Sequence, residues 1–455
     1  MASSGVSVLE PRVRGPVPTW EPAARRPAAL PARAAGEYAL ILAQLAGLLF
    51  VFQTFNVESP AFFHLSCWCF GGFALWYFLP AAWKQPAFIA LSLVGGTSVL
   101  AHVDPWYVGP QSYRAAAVFV LMLVGLGGII FLCLNSGLPF GARLGFILLL
   151  AGALAYARRR EWFLPEAYWK VLGAIFMFRL ILYVYEVRVA RRRERLSDFL
   201  GYFYLLPGFC FTLFPVIDYA TFKKCRRSGD PLPTARRGVA WIVRGTVQVF
   251  VYRLLYHQVM VGPVGVHSPL TLAQFLLAPY LMYTHISGQF HIIAGMLHLF
   301  GYALPETNRR YLLAESFTDF WRRINIYWKD FMVKVFFFPA YFRLRRRGEK
   351  QALVVSTAAV FTATILLHAY QAFWLNNTFT ISKRDLLFWG TLGLLVMAGV
   401  LRDARRGSGG TARTARSRPL RALSAIGVYL TVSVLWSIWS SPSLGEWVEV
   451  VTYWR

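Results

Sequence analysis

A single histidine within a long uncharged stretch is the first candidate for chemistry. Residues 351–382 contain no Asp, Glu, Lys or Arg, and His368 is the one group there that titrates near neutrality. An ionisable group in an apolar span is costly, so it is a functional hypothesis by default. Desolvation favours the neutral imidazole, which is the form that a general base needs. The alternative is a histidine that hydrogen-bonds between helices and does no chemistry.

A second candidate segment precedes it, because residues 316–331 read SFTDFWRRINIYWKDF. Ser316 or Thr318 is a suitable helix cap, and Asp319 is spaced to pair with Arg323 one turn later. Large apolar side chains recur at helical spacing, which predicts one continuous amphipathic helix. These side chains are Phe320, Ile324, Trp328 and Phe331. Asn325 lies on the flank of this stripe, either in a polar pocket or on an interfacial helix that rests against headgroups.

The composition indicates that these segments belong to a membrane protein. Of 455 residues, 57% are hydrophobic and only 15% are charged. Uncharged apolar runs of about 20 residues recur, which matches a hydrocarbon core roughly 30 Å thick. The net charge of +26 comes from clusters between these runs, so it indicates loops facing anionic lipid and not nucleic acid. We expect an all-α integral membrane protein.

The chain divides into three regions by composition. Residues 1–36 are rich in Pro, Ala and Arg and predict a disordered basic tail. Residues 37–445 predict a polytopic membrane domain, and residues 403–419 predict a basic Gly/Arg-rich loop within it. Basic clusters flank both ends of the run 167–188, so we expect at least one segment to re-enter the membrane without crossing it. The Pro-rich stretch 202–219 is the candidate break.

The order of the motifs resembles a known family, the membrane-bound O-acyltransferases. The resembling block spans residues 288–370 and includes HLFGYALPETNRRYLLAESFTDFWRRINIYWKDF, followed by His368 in its uncharged span. The string is especially similar to the bacterial branch that includes alginate O-acetylation and teichoic-acid D-alanylation proteins. By position, His368 matches the catalytic histidine of the family and Asn325 its second active-site position. Bacterial members commonly carry Trp-His where this chain has Ile324-Asn325, and asparagine there is typical of the sterol and diacylglycerol branch.

The resemblance implies a multi-helix bundle with re-entrant segments around an internal tunnel, and an enzyme that transfers an acyl group. His368 would remove the proton from a hydroxyl as its oxygen attacks a thioester, and Asn325 would stabilise the oxyanion or hold the acceptor. We expect no bound cofactor and no metal, with acyl-CoA or another acyl thioester as co-substrate. Such a donor carries phosphates, so four arginines are candidate donor contacts, although they also suit basic anchors at span ends. They are Arg309, Arg310, Arg322 and Arg323.

The favoured acceptor is a hydroxyl of an envelope or exported polysaccharide, with a lipid or sterol hydroxyl second. We expect a multi-pass protein of the bacterial inner membrane that also contacts membrane lipids. Two other classes stay open: a proton-coupled transporter or flippase that uses His368 as a relay, and a scaffold without catalysis. We expect the side chains of His368 and Asn325 to lie within roughly 10 Å of each other and to face one internal cavity. Its cytoplasmic mouth should carry several of the basic residues Arg309, Arg310, Arg322, Arg323 and Lys329.

Overall fold

The part of the protein that the structure describes is predominantly helical. The computed structural model describes residues 32–103, 109–190, 194–226, 229–405 and 417–453. These residues contain no β-strand, and one antiparallel bridge joins Arg226 to Tyr302. The all-α prediction is therefore confirmed for these residues.

The helices follow the apolar runs of the sequence and end at turn residues. In the first half they are α1 Ala32–Thr54, α2 Pro60–Trp76, α3 Ala81–Ala101, α4 Pro110–Leu134, α5 Phe140–Arg159, α6 Glu166–Ala190, α7 Leu196–Phe203, α8 Tyr219–Cys225 and α9 Leu232–Gln258. In the second half they are α10 Pro269–Leu281, α11 Tyr283–Leu299, α12 Phe317–Arg323, α13 Ile326–Met332, α14 Phe338–Leu344, α15 Glu349–Asn376, α16 Lys383–Arg405, α17 Arg418–Ser440 and α18 Leu444–Tyr453.

Among the residues that the structure describes, seven helices are long and apolar enough to cross a membrane. They comprise Arg33–Thr54, Pro110–Leu134, Phe140–Arg159, Glu166–Arg188, Glu349–Asn376, Lys383–Arg405 and Arg418–Ser440. At 1.5 Å rise per residue, helices of this length span the hydrocarbon core. The chain thus has the helices of a multi-pass membrane protein.

The expected tail and loop fall mostly outside the described residues. Residues 1–31 of the tail are not described, and residues 32–36, which we expected to be disordered, form the start of α1. Of the basic loop, residues 406–416 are not described, and its flanks at 403–405 and 418–419 belong to α16 and α17.

The Pro-rich segment is broken, as its sequence predicts. A short 3-10 turn, Leu206–Phe209, separates α7 from the extended chain that leads to α8. The Arg179 side chain on α6 is 2% exposed, and its Nη1 donates to the backbone carbonyls of Tyr202 and Phe203, each at 2.9 Å. Irregular backbone inside a membrane protein needs such internal partners. Arg179 therefore holds the unwound chain in place.

Two glycine pairs bring α9 and α11 into backbone contact. A Cβ at Gly238 would lie 2.7 Å from the carbonyl oxygen of Gly295, and one at Gly245 would lie 2.5 Å from that of Gly288. Each pair is seven residues from the other on both helices, so the helices run antiparallel in register. Small residues at a helix interface permit this approach, which adds Cα–H···O contacts. The two helices thus form one closely packed antiparallel pair, although α10 separates them in the chain.

Candidate functional site

The helix expected over residues 316–331 is interrupted at Asn325. Helix α12 ends at Arg323 and α13 begins at Ile326, while Asn325 between them has φ 37° and ψ 61°. Its Oδ1 accepts a hydrogen bond from the backbone N–H of Trp328 at 3.3 Å, so it is the N-cap of α13. The prediction of one continuous helix is wrong, because asparagine tolerates the left-handed region and gains a cap there.

The start of this segment follows the prediction. Ser316 Oγ accepts a hydrogen bond from the backbone N–H of Asp319 at 3.1 Å, which confirms Ser316 as the cap. The Arg323 guanidinium contacts both carboxylate oxygens of Asp319, each at 2.9 Å. The expected i,i+4 ion pair is therefore confirmed, and it occupies one of the four candidate arginines.

A buried asparagine that the sequence did not single out supports Asn325. The Oδ1 of Asn308 accepts hydrogen bonds from the backbone N–H of Asn325 at 2.8 Å and from the Tyr283 hydroxyl at 3.2 Å. Asn308 is 1% exposed. An ordered, buried acceptor of this kind fixes the backbone turn, so Asn308 is a positioning residue for Asn325. Its only signal in the sequence is its place in PETNRR within the motif block.

The four candidate arginines meet at one junction of the chain. The backbone N–H of Arg309 donates to the carbonyl of Arg323 at 2.9 Å, which brings the loop before α12 beside its C-terminal end. Arg310 and Arg322 are the chain neighbours of this pair. The side chains of Arg309 and Arg310 are exposed, and those of Arg322 and Arg323 are half-buried.

Lys329, which we expected at a basic mouth, is not an open cation. It is 7% exposed, and its ammonium group pairs with the carboxylate of Asp330. Burial raises the pKa of the Asp330 carboxyl above its usual value, although the neighbouring lysine opposes this. The pair is therefore internal, and of the five basic residues expected at the mouth only Arg309 and Arg310 are exposed.

His368 lies on α15 inside a group of three tryptophans. The centroid of its ring is 4.8 Å from that of Trp389, 5.6 Å from that of Trp328 and 6.0 Å from that of Trp439. In the part of the chain that the structure describes, no hydrogen bond joins either ring nitrogen to another group. Neither nitrogen is thus occupied by another side chain or by the backbone of the described residues.

One carboxylate interacts electrostatically with this imidazole. Asp385 on α16 accepts hydrogen bonds from Trp439 Nε1 at 2.8 Å and from the hydroxyl and backbone N–H of Ser382 at 2.6 and 2.8 Å. These bonds hold the carboxylate in place. An ordered carboxylate and aromatic faces are groups that can partly offset the cost of forming an imidazolium in a desolvated site.

Trp328 contacts both predicted catalytic residues. Its backbone N–H binds the Asn325 side chain, and its indole ring lies against His368. Helices α13 and α15 thus bring the two residues to the same tryptophan from different parts of the chain.

Neither His368 nor Asn325 lines either of two cavities found among the described residues. One cavity, of about 220 Å³, contains Glu58 and His285, and the other, apolar and of about 40 Å³, reaches Tyr370.

Among the described residues, no group of three or more His, Cys, Asp or Glu side chains is arranged to hold a metal ion.

The chain matches no protein-family model and no curated protein sequence. The likeness to the O-acyltransferases therefore depends on the motif block itself, and what it implies for activity is a proposal.

Proposed function

We propose that the protein is an integral-membrane O-acyltransferase of the membrane-bound O-acyltransferase type. It moves an acyl group, in the first place acetyl, from a thioester to a hydroxyl of an envelope or exported polysaccharide, in the bacterial cell membrane. The proposal includes an internal tunnel in which donor and acceptor meet. The observation that carries it is the convergence of His368 and Asn325 on Trp328.

The base in this mechanism is His368. One ring nitrogen accepts the proton of the acceptor hydroxyl while the hydroxyl oxygen forms a bond to the thioester carbonyl carbon. The imidazolium that results is stabilised by the Asp385 carboxylate and the surrounding indole rings. When the tetrahedral intermediate collapses, the C–S bond breaks and the thiolate takes the proton back from His368. The products are an ester and a free thiol, and no covalent acyl-enzyme is needed.

Asn325 supplies the donor for the oxyanion. Its Oδ1 is occupied by the cap of α13, whereas its Nδ2 makes no hydrogen bond within the described residues. The hydrogen bond from the Asn325 backbone N–H to Asn308 Oδ1 holds the Asn325 side-chain amide in place before substrate arrives. A fixed donor stabilises developing negative charge without reorganisation, which is the source of its catalytic effect.

The arginine junction suits the phosphates of the donor. Arg309 and Arg310 are exposed and adjacent to the loop that pairs with the Asn325 turn. Guanidinium groups bind phosphate through paired N–H donors, so this surface is where a coenzyme A moiety would bind. Arg323 contributes less, because Asp319 already occupies its guanidinium.

A lipid or sterol hydroxyl is the second acceptor class. The specific observation in its favour is Asn325 itself, since asparagine at this position is typical of the sterol and diacylglycerol branch. Mass spectrometry separates the two acceptors, because one loses an ester from a glycan and the other loses it from a lipid when the gene is deleted.

The decisive experiment compares His368→Ala with a matched control. Membranes from cells that express each variant receive radiolabelled acetyl-CoA, and ester formation on glycans and lipids is measured. We expect His368→Ala to abolish transfer while the protein stays folded in the membrane. His267→Ala, which removes an exposed loop histidine, should leave transfer unchanged. Wild-type transfer in His368→Ala would refute the assignment, and gene-dependent solute flux without ester formation would favour a transporter.

A further inference from the structure

A second polar site lies where the loop between α1 and α2 meets α11. The Glu58 carboxylate binds His285 Nε2 at 2.7 Å through one oxygen and Gln289 Nε2 at 3.1 Å through the other. Glu58 is separated from His285 by 227 positions, so the tertiary fold creates this group. The Tyr252 ring stacks on the imidazole, with centroids 4.3 Å apart and planes 9° from parallel.

Glu58, His285 and Gln289 line a cavity of about 220 Å³. Its other walls come from the N-cap of α2 and from the chain after the 3-10 turn. The remaining lining residues are Ser59, Cys210, Phe211, Thr212, Leu213 and Ile286. Burial raises the pKa of the Cys210 thiol to about 12, so that wall stays neutral. The volume is below the roughly 300 Å³ at which drug-sized pockets begin, so it suits one small ring or a chain terminus.

The backbone around Glu58 is held in an unusual conformation. Glu58 has φ 63° and Asn56 has φ 45°, which is the left-handed region that non-glycine residues rarely adopt. The Arg253 guanidinium fixes this loop by donating to the carbonyls of Phe55 at 2.7 Å and Asn56 at 2.5 Å. Strained backbone that is over-determined by its surroundings is concentrated at functional sites. The loop thus presents the carboxylate in a set position.

The charge of the chain places this cavity on the outer side of the membrane. Arg25, Arg26 and Arg33 precede or begin the first span, whereas no basic residue follows it before Glu58. The positive-inside rule assigns the basic flank to the cytoplasm, so the Glu58 end faces outward. Arg236, at the start of α9, lies 3.9 Å from Glu37 at the start of α1, so the basic start of α9 is on the same side as the N-terminal arginines. Arg253, near the other end of α9, is held by the carbonyls of the loop that carries Glu58.

We infer that this cavity binds a sugar ring of the acceptor glycan. The Glu58 carboxylate, the Gln289 amide and the hydroxyls of Ser59 and Thr212 can hydrogen-bond to neighbouring hydroxyls of a sugar. Phe211 supplies an apolar side chain against which the carbon atoms of the sugar can pack. A hydrocarbon chain seated here would exclude water from the half-buried Glu58 carboxylate without supplying new hydrogen bonds, which is costly. The inference rests on the proposed function, because it names the acceptor class of that reaction.

Helix α11 joins this cavity to the predicted catalytic residues. His285 and Gln289 face the cavity, while Tyr283, in the same turns, donates its hydroxyl to Asn308, which binds the Asn325 backbone. A sugar seated against Glu58 is thus bound to the helix that supports the Asn325 turn. The cavity is a docking subsite for the glycan, separate from His368.

The test measures binding without turnover. Purified protein in lipid nanodiscs is mixed with methyl β-glucoside, methyl α-mannoside or methyl N-acetyl-β-glucosaminide, and saturation-transfer NMR reports contact with each. We expect at least one glycoside to bind. Glu58→Gln, which keeps the shape but removes the charge, should raise the Kd of that glycoside by roughly tenfold or more. Glu446→Gln, which changes an exposed carboxylate on α18, should leave the Kd unchanged.

A second variant protects the test against misfolding. Thr212→Phe fills the cavity without altering the Glu58–His285 pair, and it should also abolish glycoside binding. The inference is overturned if no glycoside binds, if binding is the same in Glu58→Gln and Thr212→Phe as in wild type, or if only dioctanoylglycerol gives a Glu58-dependent signal.

The result is separable from the proposed reaction. His368→Ala should bind the glycoside normally while it fails to form ester. Glycoside binding without any gene-dependent ester would refute the acyltransferase proposal and leave the sugar site standing. Ester formation on a glycan without glycoside binding at Glu58 would refute the sugar site alone.

Discussion

Asn325 has two roles that three substitutions can separate. Its Oδ1 caps α13 and its backbone lies in the left-handed region, whereas its Nδ2 is the proposed oxyanion donor. Asn325→Asp keeps the helix cap and tolerates the left-handed backbone conformation, but it loses the Nδ2 donor. Asn325→Gly keeps the left-handed backbone conformation and loses both side-chain functions. Asn325→Ala loses the cap and the donor, and it also disfavours the left-handed backbone conformation.

The expected stabilities differ among these variants. Loss of the cap to alanine costs about 1 kcal/mol, and the left-handed backbone costs a further ~1 kcal/mol, so Asn325→Ala should lose about 2 kcal/mol of unfolding free energy. Asn325→Gly should lose only a few tenths of a kcal/mol, because glycine is a fair cap and adopts positive φ freely. Asn325→Asp should unfold close to wild type. Melting temperatures measured in one detergent at one scan rate give this order.

The expected activities do not follow that order. Each variant lacks the amide donor, so kcat should fall by on the order of 10² in all three. Initial rates with acetyl-CoA, at temperatures well below the lowest melting point, give this comparison. An unchanged kcat with a raised acceptor KM would assign Asn325 to acceptor binding instead. Wild-type activity in Asn325→Asp, or activity that follows stability across the series, would refute the oxyanion role.

The other predictions concern packing, the unwound chain and the donor. Gly245→Ala should destabilise the protein by about 1–3 kcal/mol, because its Cβ would lie 2.5 Å from the Gly288 carbonyl oxygen, and the melting temperature of Gly128→Ala, whose Cβ meets open space, is the control. Arg179→Lys should increase proteolysis of the unwound segment, since one ammonium cannot repeat the guanidinium's paired contacts; unchanged proteolysis would contradict this. Arg309→Gln should raise the KM for acetyl-CoA by roughly tenfold with little change in kcat, measured by initial rates, and an unchanged KM would remove Arg309 from the donor site.

Local signals in the sequence predicted the elements that depend on local chemistry. Apolar runs predict the spans because bilayer thickness fixes their length, and Pro207 predicts the break between α7 and α8 because proline cannot continue a helix. The Ser316 cap and the Asp319–Arg323 pair lie within one helical turn, where spacing alone determines contact.

The sequence did not predict the interruption at Asn325, because the apolar residues of 316–331 keep helical spacing on both sides of it. The break is stabilised by Asn308, whose contact with the Asn325 backbone depends on how the preceding loop returns. Tertiary context thus overrides helical periodicity here. Arg179 had a visible signal, a lone charge in the middle of a span, and its role required knowledge of the carbonyls that it meets.

The pairing of Glu58 with His285 is beyond local pattern, since each residue alone resembles an ordinary interfacial group. Only the packing of α9 on α11, which positions Arg253 beside the α1–α2 loop, brings the carboxylate to the imidazole. The His368 and Asn325 assignments as catalytic residues stay predictions that the variants above can test.

The glycine pairing of α9 with α11 has a consequence for how the chain enters the membrane during synthesis. Helix α9 carries Arg236, Arg237, Arg244 and Arg253, and α11 has only 17 residues, so neither is among the seven helices that qualify to cross alone. Their backbones meet at matched positions, so the favourable contacts exist only when both are present. We therefore expect α9 to insert stably only after α11 has left the ribosome, with α10 between them in the chain. A nascent chain stopped before α11 should keep α9 accessible to protease, and one stopped after it should not.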